Sequence, residues 1–278
     1  MRENKLKLIW SEGRFAVNGW LHIPSGWSAE VMAHQGYDSL TVDLQHGMMG
    51  FETAVAMLQA ISTTEVVPLA RVPWNEPGII MKLLDAGAYG IICPMIDDRQ
   101  ACERFVGACH YHPEGYRSLG PTRARLYGGS DYAEHANQQI VTLAMIETAV
   151  AVENAVEIVS VPGLDAVYVG PADLSLTLGS PKRVDNDDPL YLAALDRVLS
   201  ACRQHQVVAG IHTNDPAYAC QMIQRGFQFV TLLTDTTLLG TIARQTVTAV
   251  RAANDQTSPV EHNTPIDQYT NNLITNDS

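Results

Sequence analysis

Short apolar runs alternate with longer stretches of helical period along nearly the whole chain. Runs rich in β-branched and other apolar residues predict strands at Phe15–His22, Ser39–Leu44, Val66–Val72, Gly90–Pro94, Val141–Ile146, Asp165–Val169, Val207–Ile211 and Phe227–Leu233. Between them the apolar positions recur at three- and four-residue spacing. That period predicts helices over Ser28–His34, Phe51–Ile61, Glu76–Asp85, Asp98–Cys109, Ala149–Val159, Tyr191–His205, Pro216–Arg225 and Thr236–Ala253. Strict alternation of this kind predicts an α/β fold, a single-domain (β/α)8 TIM barrel over residues 1–253. Gly87 and Gly226 stand just past predicted helices, where a chain turning into a strand favours glycine. Two stretches break the rhythm, one from His110 to Gln139, with a short helical piece near Asp131–Asn137, and one from Gly179 to Pro189. From Asn254 the chain is rich in Asn, Thr, Asp and Gln, which predicts a polar C-terminal tail over 254–278.

Length and charge narrow the function. The 278 residues suit one barrel of the usual size, about 250 residues. A formal net charge of −12 argues against nucleic acid or an anionic membrane as partner, although a local arginine still permits an acidic small molecule. Five cysteines, Cys93, Cys102, Cys109, Cys202 and Cys220, are odd in number and show no Cys-x-x-Cys spacing. They fit reduced thiols in the cytoplasm. Cys109-His110-Tyr111-His112 runs into a loop with no second cluster at matching spacing, so it is not read as a zinc site. The first residues lack an apolar export core, and no apolar run approaches the roughly 18 residues of a membrane span.

Parallel strands deliver their C-terminal ends to one mouth, and that edge of a barrel carries the chemistry. The predicted strand ends bring Asp43-Leu44-Gln45-His46-Gly47, Arg71-Val72-Pro73, Glu147 and Asp173 together there. Glu147 and Asp173 offer only oxygen, the donor set of Mg²⁺ or Mn²⁺. Either acid could instead serve a helix start, Asp173 as the cap of a helix beginning at Leu174. Arg71 on an apolar strand is costly to bury alone, so it either forms a structural salt bridge or recognises a carboxylate or enolate oxygen. Asp85 in the last turn of a helix opposes the helix dipole and requires a cationic or N–H partner; His46 is a candidate, as an acid-oriented imidazole. The only lysines are Lys5, Lys7, Lys82 and Lys182, none on a predicted strand, which argues against a Schiff base. The last strand ends, His212-Thr213-Asn214-Asp215 and Thr234-Asp235-Thr236, lack a glycine-rich phosphate cradle.

Five motifs in order, Val42–Gly47, Arg71–Asn75, Leu84–Ala88, Ile146–Thr148 and Gly170–Ser175, resemble those of the HpcH/HpaI-type class II aldolases, which act on 4-hydroxy-2-oxo acids and 2-keto-3-deoxy sugar acids. The resemblance spans about Gly19 to Thr237. It implies a metal-dependent barrel, a homohexamer or trimer of dimers whose last helix packs on a partner subunit. It also implies Glu147 and Asp173 as metal ligands and Arg71 as the residue that binds the keto acid and stabilises its enolate. His46 with Asp85 would be the dyad for proton transfer, and Gly170, Ala172 and Asp173 would grip the pyruvate carboxylate. The Gly115–Gly120 loop would lie near a barrel mouth, its own or a neighbour's. Three positions depart from the family pattern: Gln45 where many members have Glu, Met145 where many have Gln, and His212 in place of an apolar residue near the acceptor site.

The resulting expectation is a carbon–carbon lyase cleaving a 4-hydroxy-2-oxo acid to pyruvate and an aldehyde, with Mg²⁺ or Mn²⁺ as cofactor and Co²⁺ as a third choice. An alternative keeps the enolate site but takes oxaloacetate, as a decarboxylase or as a siderophore-pathway citrate synthase using acetyl-CoA. A remote alternative is a non-catalytic binding barrel.

Overall fold

The structure, a computed structural model, describes residues 1–181 and 184–253. The predicted tail at 254–278 lies outside the described residues. The elements run α1 (Lys5–Ser11), β1 (Ala16–Leu21), α2 (Gly26–Ala33), β2 (Ser39–Asp43), α3 (Phe51–Ile61), β3 (Val67–Arg71), α4 (Pro77–Asp85), β4 (Gly90–Cys93) and α5 (Arg99–Cys109). They continue with α6 (Thr122–Gly128), α7 (Tyr132–Gln139), β5 (Val141–Ile146), α8 (Ala149–Glu153), α9 (Ala155–Val159), β6 (Ala166–Val169) and α10 (Pro171–Leu178). The last are α11 (Pro189–His205), β7 (Val208–Thr213), α12 (Pro216–Arg225), β8 (Phe229–Leu232) and α13 (Asp235–Ala253). All strands pair in parallel, and β8 closes onto β1 through Ala16–Phe229, Val17–Val230 and Asn18–Thr231. The (β/α)8 barrel read from the hydrophobic pattern is therefore the fold.

Inward and outward positions alternate along each strand, as the pleat requires. On β2 the inward residues are Ser39, Thr41 and Asp43, all fully buried among polar partners. Outward Leu40 and Val42 meet the helical layer without exposure. Closure is reinforced at the mouth by Asp235, whose carboxylate accepts the backbone N–H groups of His22 (2.8 Å) and Ile23 (3.1 Å). The first turn of α13 is thereby fastened to the end of β1.

Two helices, α1 and α6, have no counterpart among the elements that the hydrophobic period predicts, and α10 starts at Pro171, three residues before the expected Leu174. Helix α1 is too short for its period to register, yet Leu6, Ile9 and Trp10 are buried, and Trp10 meets Phe229 edge-on at 5.7 Å. Because α1 precedes β1, it lies under the end of the barrel opposite the mouth. Asn4 fixes it there: its side-chain amide donates to the carbonyls of Tyr89 (3.0 Å) and Gln139 (2.8 Å), and its oxygen accepts the N–H of Leu6 (3.1 Å). Helix α6 lies in the long excursion, and α10 occupies the connection between β6 and α11. Among the described residues no helix is long and apolar enough to cross a membrane. Asn4→Ala would remove the α1 cap and the side-chain donor to the Gln139 carbonyl, while the Tyr89 carbonyl keeps the N–H of Val141. The expected cost is about 2–4 kcal/mol, read as a fall in the urea midpoint at fixed protein concentration.

Candidate active site

Asp43 ends β2 with its carboxylate fully buried, a position that is stable only if every oxygen lone pair is used. Arg71, opposite it in register on β3, donates from Nε to Oδ1 (2.8 Å) and from Nη2 to Oδ2 (2.5 Å), a bidentate fork. The indole N–H of Trp20 (3.1 Å) and His22 Nε2 (2.8 Å) reach Oδ2, and the N–H groups of Gln45 (3.0 Å) and His46 (3.3 Å) reach Oδ1. Burial alone would push this carboxyl up. The hydrogen bonds and charges of His22 and Arg71 outweigh it and hold Asp43 well below the usual carboxylate range. The Arg71 guanidinium also lies over the Trp20 ring, 4.8 Å from its centroid. Its Nη1 has no hydrogen-bond partner among the described residues, and the side chain lines the cavity at the mouth. The salt-bridge reading of Arg71 is thus met, and the same side chain keeps one edge on the cavity.

Across the mouth, Glu147 follows β5 and is 2% exposed, so its charge is costly there. Burial pushes its carboxyl up to about 7; the N–H of Met95 pulls the other way, and the charge of Asp173 adds to the rise. Met95 donates to Oε1 at 2.7 Å from a left-handed backbone, φ 54°, uncommon for a residue with a side chain. Gly170 must be glycine for the same acid: a Cβ there would stand 2.4 Å from Oε2 of Glu147. The helix at this corner begins at Pro171 with Gly170 at its N-cap, so Asp173 sits inside the first turn and not at a cap before Leu174. Gly170 supplies no side-chain cap and Pro171 has no N–H, which leaves the N–H groups of Ala172 and Asp173 facing outward as donors. Helix α8 is capped by Thr148, whose hydroxyl accepts the N–H of Ala151 at 3.0 Å, so Glu147 is not spent on that end either.

Two carboxylates side by side, one of them raised, are a donor set that a hard cation would stabilise. Among the described residues no third His, Cys, Asp or Glu joins them as a metal cluster. Two carboxylates alone could hold a hard divalent cation only with water or substrate completing its shell. The cavity measures about 340 Å³ and is bounded by Trp20, His22, His46, Arg71, Met145, Glu147, Tyr168, Gly170, Ala172, Asp173 and His212 with neighbouring threonines. Burial, followed by the charge of Arg71, holds His46 below the ordinary imidazole range.

The expected His46–Asp85 pair does not form within the chain. Helix α4 carries the chain back from the mouth, so Asp85 lies at the far end of the barrel. Its partner there is the buried Arg117, whose Nη2 donates to Oδ1 at 2.7 Å. That ion pair meets the need for a cation inferred from the helix dipole, with a different residue. The Gly115–Gly120 loop goes with it: Arg117 also donates to the Tyr132 hydroxyl (3.1 Å), so the loop lies away from its own barrel's mouth. Sequence reading passed over His22, Trp20 and Tyr168 as site residues. The signal available was the inward parity of Trp20 and Tyr168 on their strands.

The HpcH/HpaI aldolase/citrate lyase family model matches residues 20–241. A hydroxypyruvate/pyruvate aldolase of Rhizorhabdus wittichii is 41% identical over 249 residues, covering 90% of this chain and 99% of that one. A 4-hydroxy-2-oxo-heptane-1,7-dioate aldolase of Shigella flexneri is 34% identical over 244 residues, covering 87% and 91%. The crystal structure of a family protein from Burkholderia cenocepacia superposes with a TM-score of 0.83 at 31% identity, covering 89% and 99%. By sequence and by fold, the chain belongs to the HpcH/HpaI aldolase/citrate lyase family.

Proposed function

We propose that this lyase cleaves a 4-hydroxy-2-oxo acid to a pyruvate-type 2-oxo acid and an aldehyde, and joins the two in reverse. The observation that carries the reading is one cavity in which two carboxylates, an uncommitted guanidinium edge and a free helix N-terminus converge. The Ala172 and Asp173 N–H groups would bind the substrate carboxylate at the positive end of α10. Glu147 and Asp173 would hold a divalent cation, Mg²⁺ or Mn²⁺ with Co²⁺ as third choice, which when bound supplies Lewis acidity to the 2-oxo group. Arg71 Nη1 donates to the enolate oxygen as charge develops there, already oriented by Asp43. His46 at the rim takes the 4-hydroxyl proton. The C3–C4 bond breaks, its electron pair enters the enolate, the aldehyde leaves, and C3 is reprotonated.

The exposed Leu239, Ile242 and Val247 on α13 support association of subunits through this helix; the homohexamer or trimer of dimers is what the family resemblance implies. The unpaired cysteines, of which Cys93, Cys102, Cys109 and Cys202 are buried, support residence in the cytoplasm.

Pyruvate in D₂O with Mg²⁺ is expected to acquire deuterium in its methyl group, followed by NMR. Glu147→Ala and Arg71→Ala should slow this by about 100-fold or more. Exchange that persists after complete metal removal sinks the mechanism. Release of free thiol from acetyl-CoA with oxaloacetate, in place of aldol cleavage, would favour the citrate-forming alternative.

Asp43→Asn leaves the buried Arg71 charge half-paired, at an expected cost of about 3–5 kcal/mol in denaturant unfolding. The folded Asp43 carboxyl titrates below its unfolded value of about 3.9, so its contribution is full above that pH and is lost as pH falls through the lower folded value. The gap in stability between the natural protein and Asp43→Asn should stay level from pH 7 to about 5 and close only below about 4.

A further inference from the structure

His212, on β7 beside β6, lines the mouth cavity, and its ring is fixed on two sides. Trp20 meets it edge-on with centroids 5.4 Å apart, and Trp20 in turn stacks on Tyr168 at 5.5 Å. The Nδ1 atom lies 3.2 Å from the Tyr168 hydroxyl. That hydroxyl donates its proton to Thr231 Oγ1 at 2.8 Å. Thr231 Oγ1 also accepts from the Asn18 side-chain amide at 3.0 Å, and the Asn18 oxygen accepts from Ser39 (2.8 Å) and Thr41 (3.2 Å). The Tyr168 proton being committed inward, its oxygen can only accept from His212. Nδ1 therefore carries the imidazole proton and Nε2 is bare. Burial, with the charges of Arg71 and His22, pushes the imidazole down to about 3, so the ring is neutral near pH 7. Among the described residues Nε2 has no hydrogen-bond partner. The adjoining wall is polar as well, with Asn214, Thr234, Thr236 and Thr237 on it.

We propose that Nε2 of His212 is a fixed acceptor for a substrate hydroxyl, which makes His212 a specificity-determining residue for reactants with an O–H beside the reacting carbon. The proposal rests on the aldolase reading of the same cavity. A site with an orphan acceptor disfavours the analogue without the hydroxyl, because the nitrogen is then desolvated and unpaired. The hydroxyl can belong to the aldehyde, as in a 2-hydroxyaldehyde, or to the 2-oxo acid, as in 3-hydroxypyruvate. Either places the same donor near the bond being made.

The test compares kcat/KM of the Mg²⁺-loaded enzyme in two arms: glycolaldehyde against propanal with pyruvate, and hydroxypyruvate against pyruvate with propanal. The natural protein should prefer the hydroxylated reactant in one arm by about tenfold or more, and that arm names the source. His212→Phe should abolish the preference, His212→Gln should restore part of it through its side-chain oxygen, and Tyr168→Phe should weaken it by releasing Nδ1. An equal preference in the natural protein and His212→Phe in both arms overturns the proposal. ¹⁵N NMR of the natural protein gives a readout independent of whether variants fold: a proton on Nε2 of His212 overturns it too, and a proton on Nδ1 supports it. If the natural protein exchanges no deuterium into pyruvate, the aldolase reading itself fails; exchange without hydroxyl preference fails this proposal alone.

Discussion

The buried ion pair between Asp43 and Arg71 is the constraint on which the mouth of this barrel depends. Two charges leave water there, and their attraction offsets the desolvation only because every remaining lone pair of the carboxylate is occupied. Those partners come from the end of β1, the end of β3 and the loop after β2. One carboxylate therefore sets the position of three segments. The loop that carries His46 is held by its own backbone N–H groups, so the imidazole projects from a fixed base. The guanidinium is left with one direction in which Nη1 can still donate, which is the preorganisation that charge stabilisation in a closed site requires.

The opposite wall is arranged by the reverse logic. Asp43 is oversupplied with donors, whereas Glu147 receives one backbone N–H and faces a second carboxylate. Its position is nevertheless enforced by the strained turn at Met95 and by the lack of a side chain at Gly170. A buried acid held this firmly, yet left short of positive charge, is the feature on which the proposed cation site rests. The mouth is thus divided between a satisfied carboxylate that orients an arginine and a pair of carboxylates with few donors of their own.

Much of this was legible in the sequence because parallel strands make direction unambiguous. Once Val141–Ile146 and Ala166–Val169 are strands, Glu147 and the turn at Gly170 must emerge on one face, and Arg71 with them. What could not be read was anything that depends on contacts between distant segments. Asp85 needed a cation, which the helix dipole foretold, but the choice between His46 and Arg117 turned on which end of α4 faces which loop. Arg117 lies in the long excursion, where no periodicity positions a side chain. Helix α1 was missed for a related reason: in seven residues only Leu6, Ile9 and Trp10 mark a face, and a tertiary hydrogen bond from Asn4 supplies what the local pattern lacks.

Strand parity also couples the barrel interior to the chemistry above it. The same alternation that turns Asp43 toward the mouth turns Ser39 and Thr41 inward below it, onto Asn18. From Asn18 the polar contacts pass to Thr231 and Tyr168 and end at the ring of His212. An apolar interior would have filled this space equally well but would have left the imidazole free to place its proton on either nitrogen. Each hydrogen bond in the series fixes the direction of the next, so a buried network with no access to substrate settles which face of His212 the cavity presents. Polar residues in the barrel floor are in this sense part of the site, acting through orientation and not through contact.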